Sequence, residues 1–221
     1  MPKLENMSEV QEEEKSKRKQ KWDDETIIAK GRELFSEKGF DLSMRDLARA
    51  LNTQASSLYR HVQSKRELWF AITTRDYDDF GKGIQEIAMQ HSNQPATLLL
   101  RRIGEFFLEF ARADFNRFKL MFLYEPPREE SAGPFEQACQ PDSLTSLIQV
   151  CQIIIEQEKL INITSKQLAI MVYSQILGYS IITSPINDYL LQQKEFSYIN
   201  DPAFDKFILD KLMETVLAHK Q

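Results

Sequence analysis

Few side chains in this sequence are arranged for catalysis. His61, His91 and His219 are scattered, and Cys139 and Cys151 fit neither a metal-ligand spacing nor a nucleophile–base pair. There is no glycine-rich phosphate loop. A helical enzyme would need convergent acids, a nucleophile pair or metal ligands, so no enzymatic activity, metal or cofactor is expected. What stands out is a run of hydroxyl, amide and cationic side chains between Ser43 and Lys65. Such groups can grip a phosphate backbone and hydrogen-bond to base edges in a groove.

Charge supports that chemistry once its distribution is considered. The chain of 221 residues carries a net charge of −5, which taken alone argues against a polyanionic partner. Residues 1–70 hold 14 Lys+Arg against 13 Asp+Glu, whereas residues 71–221 hold 14 against 20. From Leu42 to Arg66 five bases face one acid. An acidic body behind a basic N-terminal face suits a DNA reader. A protein-interaction module built on the same helices would not need that local excess.

Those side chains must be held by helices. Asp23 or Asp24 can cap a first helix whose Ile27, Gly31, Leu34 and Phe35 share one face, ended by Gly39 at a left-handed position. Ser43 caps a second, with Met44, Leu47, Ala48 and Leu51 at helical spacing. Asn52 sits where the chain must turn and tolerates positive φ. A third helix is expected from about Gln54 to Val62, with Leu58 and Val62 inward. This wheel turns Ser56 and Arg60 furthest outward, flanked by Ser57 and Tyr59, with Gln54 and Ala55 at the groove-facing end. Ser64 opens a fourth helix towards Met89, with Glu67 completing a capping box. Two short helices around a tight turn form a helix-turn-helix, whose second member lies in the major groove.

This stretch resembles the TetR family of repressors. The match runs from Ser43 to Leu68, and its most specific part is Leu58, Tyr59, His61, Val62 and Lys65. The preceding Leu34-Phe35-Ser36-Glu37-Lys38-Gly39-Phe40 is also typical of that family. The resemblance implies that Arg45 reaches a base, with guanine as the natural bidentate target. It implies that Ser43, Ser57, Tyr59 and His61 touch phosphates, and that Lys65 anchors one at a helix N-terminus. The sequence departs from the family where Asn52 replaces the usual turn glycine, Gln54 a frequent serine cap and Ser56 a common glycine. Ala55 removes a long side chain from a reading position and leaves only an apolar contact to a thymine methyl.

The remainder reads as helical, with no alternation of period two and no internal repeat. The fold expected is all-α: a flexible charged arm (1–21), a three-helix helix-turn-helix domain (22–70) and a larger helical bundle (71–221), about nine or ten helices in all. The arm's basic cluster from Lys15 to Lys21 is either solvated or reaches DNA beside the main site. By the resemblance, the bundle forms a homodimer and holds a small-molecule effector. Two apolar helices, about Asp142–Lys159 and Thr164–Ser184, are candidates for the dimer interface through Leu147, Cys151, Ile154, Met171, Ser174, Gly178 and Ile181. The same stripes read equally well as intramolecular core. Phe107, Phe110, Met121, Tyr124 and Tyr173 are candidates for a pocket taking an apolar or aromatic effector. No stretch is apolar enough to enter a membrane, and with so few cysteines a cytoplasmic location is expected. The expected partners are double-stranded operator DNA, a second copy of the chain and the effector.

Overall fold

The computed structural model describes residues 24–91, 93–128, 133–138, 143–184 and 188–220. The N-terminal arm, Asp23, Cys139 and Pro185 lie outside them. All regular structure among the described residues is helical: α1 (Asp24–Lys38), α2 (Met44–Ala50), α3 (Ala55–Leu58), α4 (Lys65–Gln90), α5 (Ala96–Ala113), α6 (Phe115–Phe122), α7 (Pro134–Ala138), α8 (Ser143–Glu158), α9 (Ser165–Ile182), α10 (Asp188–Leu191) and α11 (Pro202–Leu217), with 3-10 turns at Gly39–Asp41 and Lys194–Asn200. The all-α expectation stands, with slightly more helices than the periodicity suggested. The additional ones, α10 and the 3-10 segment, are too short to show an apolar period.

Local chemistry explains the boundaries. Gly39 ends α1 at φ +56°, and Asn52 turns the chain at φ 51°. Ser43 caps α2 with a reciprocal box: its hydroxyl accepts the Asp46 N–H at 3.2 Å, and Asp46 accepts the Ser43 N–H at 3.1 Å. Thr164 and Gln167 build the same device at α9. At α4 only half of the expected box forms. Ser64 accepts the Glu67 N–H at 3.0 Å, but the Glu67 carboxylate turns away and accepts the Phe135 N–H at 2.7 Å. A buried carboxylate needs partners more than an exposed cap does, and Glu67 is only 2% exposed.

Two cores result. The first joins Ile27, Ile28, Leu34 and Phe35 of α1 to Leu47 and Ala48 of α2, Leu58 of α3, and Leu68 and Ile72 of α4. Gly31 lets α1 and α4 approach: a Cβ there would stand 2.9 Å from the Leu68 side chain. The second gathers α5, α6, α8, α9 and α11 around Phe80 and Ile84 of α4. Phe80 sits among the rings of Phe106, Phe107, Phe110 and Phe122. Both cores therefore hang on α4, whose 26 residues extend about 39 Å. A boundary drawn at residue 70 cuts through a continuous helix.

Further ties cross between the two units. Leu120 of α6 belongs to the first core, and Tyr124 and Phe135 pack against it. Arg66 forks onto Glu136 and also donates to the Pro127 carbonyl at 2.9 Å. Buried Asp76 of α4 is held from both sides, by Arg32 of α1 and by Arg117 of α6 at 3.0 Å. In the second unit, Arg112 of α5 and the Tyr179 hydroxyl of α9 meet on Asp205 of α11.

Candidate nucleic-acid interface

The α2–turn–α3 unit presents its polar side chains as the helical wheel anticipates. Leu58 and Val62 are buried, and Ser56, Ser57, Tyr59 and Arg60 are exposed. Tyr59 is 50% exposed, so its ring is a surface group and not a core one. The third helix is shorter than expected. Only Ala55–Leu58 is α-helical, and single turns carry the chain on to Val62. Gln54 holds the N-cap position without a side-chain hydrogen bond, so the turn lacks the cap a serine would give. Gln54 is exposed and Ala55 is half-buried at this end.

A cleft of about 600 Å³ runs between the starts of α2 and α4, lined by Ser43, Arg45, Tyr59, Gln63, Ser64 and Lys65 over Leu42 and Met44. Hydroxyls and cations on a shallow polar floor are what a sugar–phosphate backbone requires. Four of the expected residues come together here: Ser43, Arg45, Tyr59 and Lys65. Gln63 is an addition that the sequence reading missed. Its only signal was its position between buried Val62 and the cap Ser64. Lys65 is the first residue of α4, where its ammonium adds to the positive helix end. His61 stands apart: its Nδ1 lies 2.7 Å from Asp24 Oδ1, pinning the end of the α3 segment to α1. With Nδ1 so engaged, Nε2 is the ring nitrogen left for a further partner.

The arginines separate into two groups. Arg32, Arg49, Arg66, Arg75, Arg101, Arg102, Arg112 and Arg117 are all in ion pairs. Among the described residues, Arg45, Arg60 and Arg128 are the arginines without one, and two of these three lie on the α2–α3 face. The local excess of five bases over one acid is therefore smaller in effect than the sequence suggests. Arg66 is neutralised by Glu136 and Arg49 leans on Asp46, which leaves Arg45 and Arg60 as the arginines outside ion pairs on that surface, beside Lys65 in the cleft.

Asp46 is held well below the ordinary carboxylate range, down to about 2, by its bond from the Ser43 hydroxyl and then by Lys38. The capping box is therefore complete above the ordinary aspartate value, and its contribution is lost only as pH falls through about 2. An NMR titration of the Asp46 carboxyl should show that low midpoint, and Ser43→Ala should raise it towards 3.8. The same substitution should cost about 1 kcal/mol of stability.

The family described as bacterial regulatory proteins, tetR family, matches residues 27–72. This stretch is similar to the N-terminal part of those regulators. The match spans α1 through the first turns of α4, which is the whole scaffold of the cleft. No curated protein sequence matches the chain. Among solved structures, a possible TetR family transcriptional regulator from Streptomyces coelicolor A3(2) superposes with a TM-score of 0.60 at 17% identity, covering 89% of this chain and 99% of that one. AibR, solved in complex with isovaleryl coenzyme A and operator DNA, gives 0.59 at 18% identity over 87% and 96% of the two chains. FadR from Bacillus subtilis, solved in complex with stearoyl-CoA, gives 0.59 at 13% over 85% and 96%. At these identities the likeness is one of fold, and it extends over both units. The chain shares its fold with these three proteins.

Its second unit contains an apolar cavity of about 220 Å³, walled by Tyr77, Phe80 and Ile84 of α4, Ile103 and Phe107 of α5, Phe122 of α6, Leu144 and Leu147 of α8, and Ile170, Val172, Tyr173 and Ile176 of α9. Of the five residues expected to line a pocket, Phe107 and Tyr173 are in this wall. Phe110 instead packs on Phe80 beneath the Arg117 guanidinium. Met121 is core, its carbonyl accepting the Tyr77 hydroxyl, and Tyr124 packs against the first core. The residues expected at a dimer interface also separate. Cys151 and Ile154 are wholly buried within the single chain. Burial pushes the Cys151 thiol up to about 12. Leu147 belongs to the cavity wall. Ser174 is exposed, while Met171, Gly178 and Ile181 are half-buried. No helix among the described residues is long and apolar enough to cross a membrane.

Proposed function

We propose that the chain represses transcription by binding a palindromic operator as a homodimer, and that a small apolar molecule entering the second unit releases it. One observation carries this reading. The same helix, α4, begins with Lys65 in the polar cleft and supplies Tyr77, Phe80 and Ile84 to the apolar cavity. A rigid element shared by both sites can convert occupancy of one into movement of the other, provided the effector favours the conformation that does not fit DNA. AibR and FadR, with their bound acyl-CoA ligands, support a ligand-responsive second unit.

A two-fold dimer would set two recognition segments about one DNA turn apart, matching a palindromic site. The exposed stripe Ile170, Ser174 and Ile182 on α9, with open space above Gly178, suits close contact with a second copy. Gly178→Arg should therefore convert a dimer to a monomer in sedimentation velocity while leaving helix content unchanged. Selection of binding sites from random DNA, followed by titration of apolar molecules against the complex, tests the whole reading. Selected sites without two-fold symmetry, or a complex unaffected by every molecule that fills the cavity, would contradict it.

A further inference from the structure

The cavity wall restricts what it can hold. It contains no charged side chain, and of its twelve residues only Tyr77 and Tyr173 carry a side-chain polar atom. The Tyr77 hydroxyl donates to the Met121 carbonyl. The Tyr173 hydroxyl makes no hydrogen bond among the described residues, while its ring is set edge-on to Phe107 and beside Phe122. Burial raises the Tyr173 phenol above its ordinary value, so it stays a proton donor at neutral pH. An ion placed here would lose its hydration with nothing to pair with, which costs several kcal/mol. The volume of 220 Å³ lies between the roughly 150 Å³ that admits benzene and the roughly 300 Å³ where drug-sized pockets begin. The exposed Leu144 and Ile170 are part of the wall, so the space opens between α8 and α9.

We propose that this cavity takes a neutral molecule of one- or two-ring size, oriented by a single acceptor atom to which the Tyr173 hydroxyl donates a hydrogen bond. This names the effector class for the release mechanism above and rests on that reading for its regulatory meaning only. The chemistry itself is tested without DNA. Calorimetric titration of the full-length protein with methyl benzoate, toluene, benzoate and octanoyl-CoA separates the alternatives. Methyl benzoate and toluene should bind, and benzoate and octanoyl-CoA should bind at least about tenfold more weakly than the ester, since neither can bring its charge inside. Tyr173→Phe should weaken methyl benzoate roughly three- to tenfold and leave toluene unchanged, which also shows that the variant is folded. The assignment is overturned if benzoate or octanoyl-CoA matches the ester, if Tyr173→Phe alters ester and toluene alike or neither, or if no probe binds. An ester that binds but leaves operator affinity unchanged would sink ligand release while the pocket chemistry stands.

Discussion

Arg45→Ala is expected to weaken binding to the selected operator by about 1–3 kcal/mol, and to relax the preference at one base position in each half-site. Arg45 lies in the first turn of α2, exposed, at the edge of the Ser43–Lys65 cleft. It has no ion pair among the described residues, unlike eight of the other arginines, so its guanidinium need not leave a carboxylate to reach DNA. Lys65→Ala should behave differently. At the start of α4, Lys65 is placed to meet a phosphate, so its loss should weaken all sequences about equally and lower the salt dependence by about one ion. Competition binding on operators mutated at each position separates the two effects. If Arg45→Ala weakens every operator equally, Arg45 belongs with the phosphate contacts and base reading falls to Gln54 and Arg60.

Asp76→Ala should lower stability by about 3 kcal/mol, among the largest effects of any single substitution in the chain. The carboxylate is fully buried and joins three helices, with Arg32 of α1 and Arg117 of α6 meeting on α4. Burial drives the Asp76 carboxyl above its ordinary range against the pull of both guanidiniums. Removing it strands Arg32, while Arg117 keeps Asp79 at 3.0 Å. The two arginine side chains remain 29% and 23% exposed, so water relieves part of the cost and the loss should fall at the lower end for a broken buried pair. Urea denaturation measures it. A change below about 0.5 kcal/mol would mean that apolar packing alone holds α1 and α6 to α4.

The parts of the fold legible in the sequence are those set by local chemistry. Gly39 and Asn52 take the positive φ expected of them, and Ser43, Ser64 and Thr164 all cap helices. The outward face of the recognition segment follows from Leu58 and Val62 facing in. What remained hidden depends on distant partners. Nothing near Arg66 indicates that Glu136, seventy residues on, removes its charge, or that Phe135 draws the Glu67 carboxylate out of a capping box. The stripe through Cys151 and Ile154 reads the same whether it packs within the protomer or against a second copy, because α8 is apolar on more than one face. Phenylalanines at helical spacing cannot reveal which rings fill space and which border a void, and so Phe107 borders the cavity while Phe110 does not.

Salt dependence of DNA binding tests the α2–α4 face most directly. Fluorescence anisotropy of a labelled selected operator, titrated across salt concentrations, should give an affinity that falls linearly on a log–log scale, with a slope reduced by about one on Lys65→Ala. An affinity independent of salt, or one unchanged by both Arg45→Ala and Lys65→Ala, would contradict the assignment of the α2–α4 face as the DNA-binding surface.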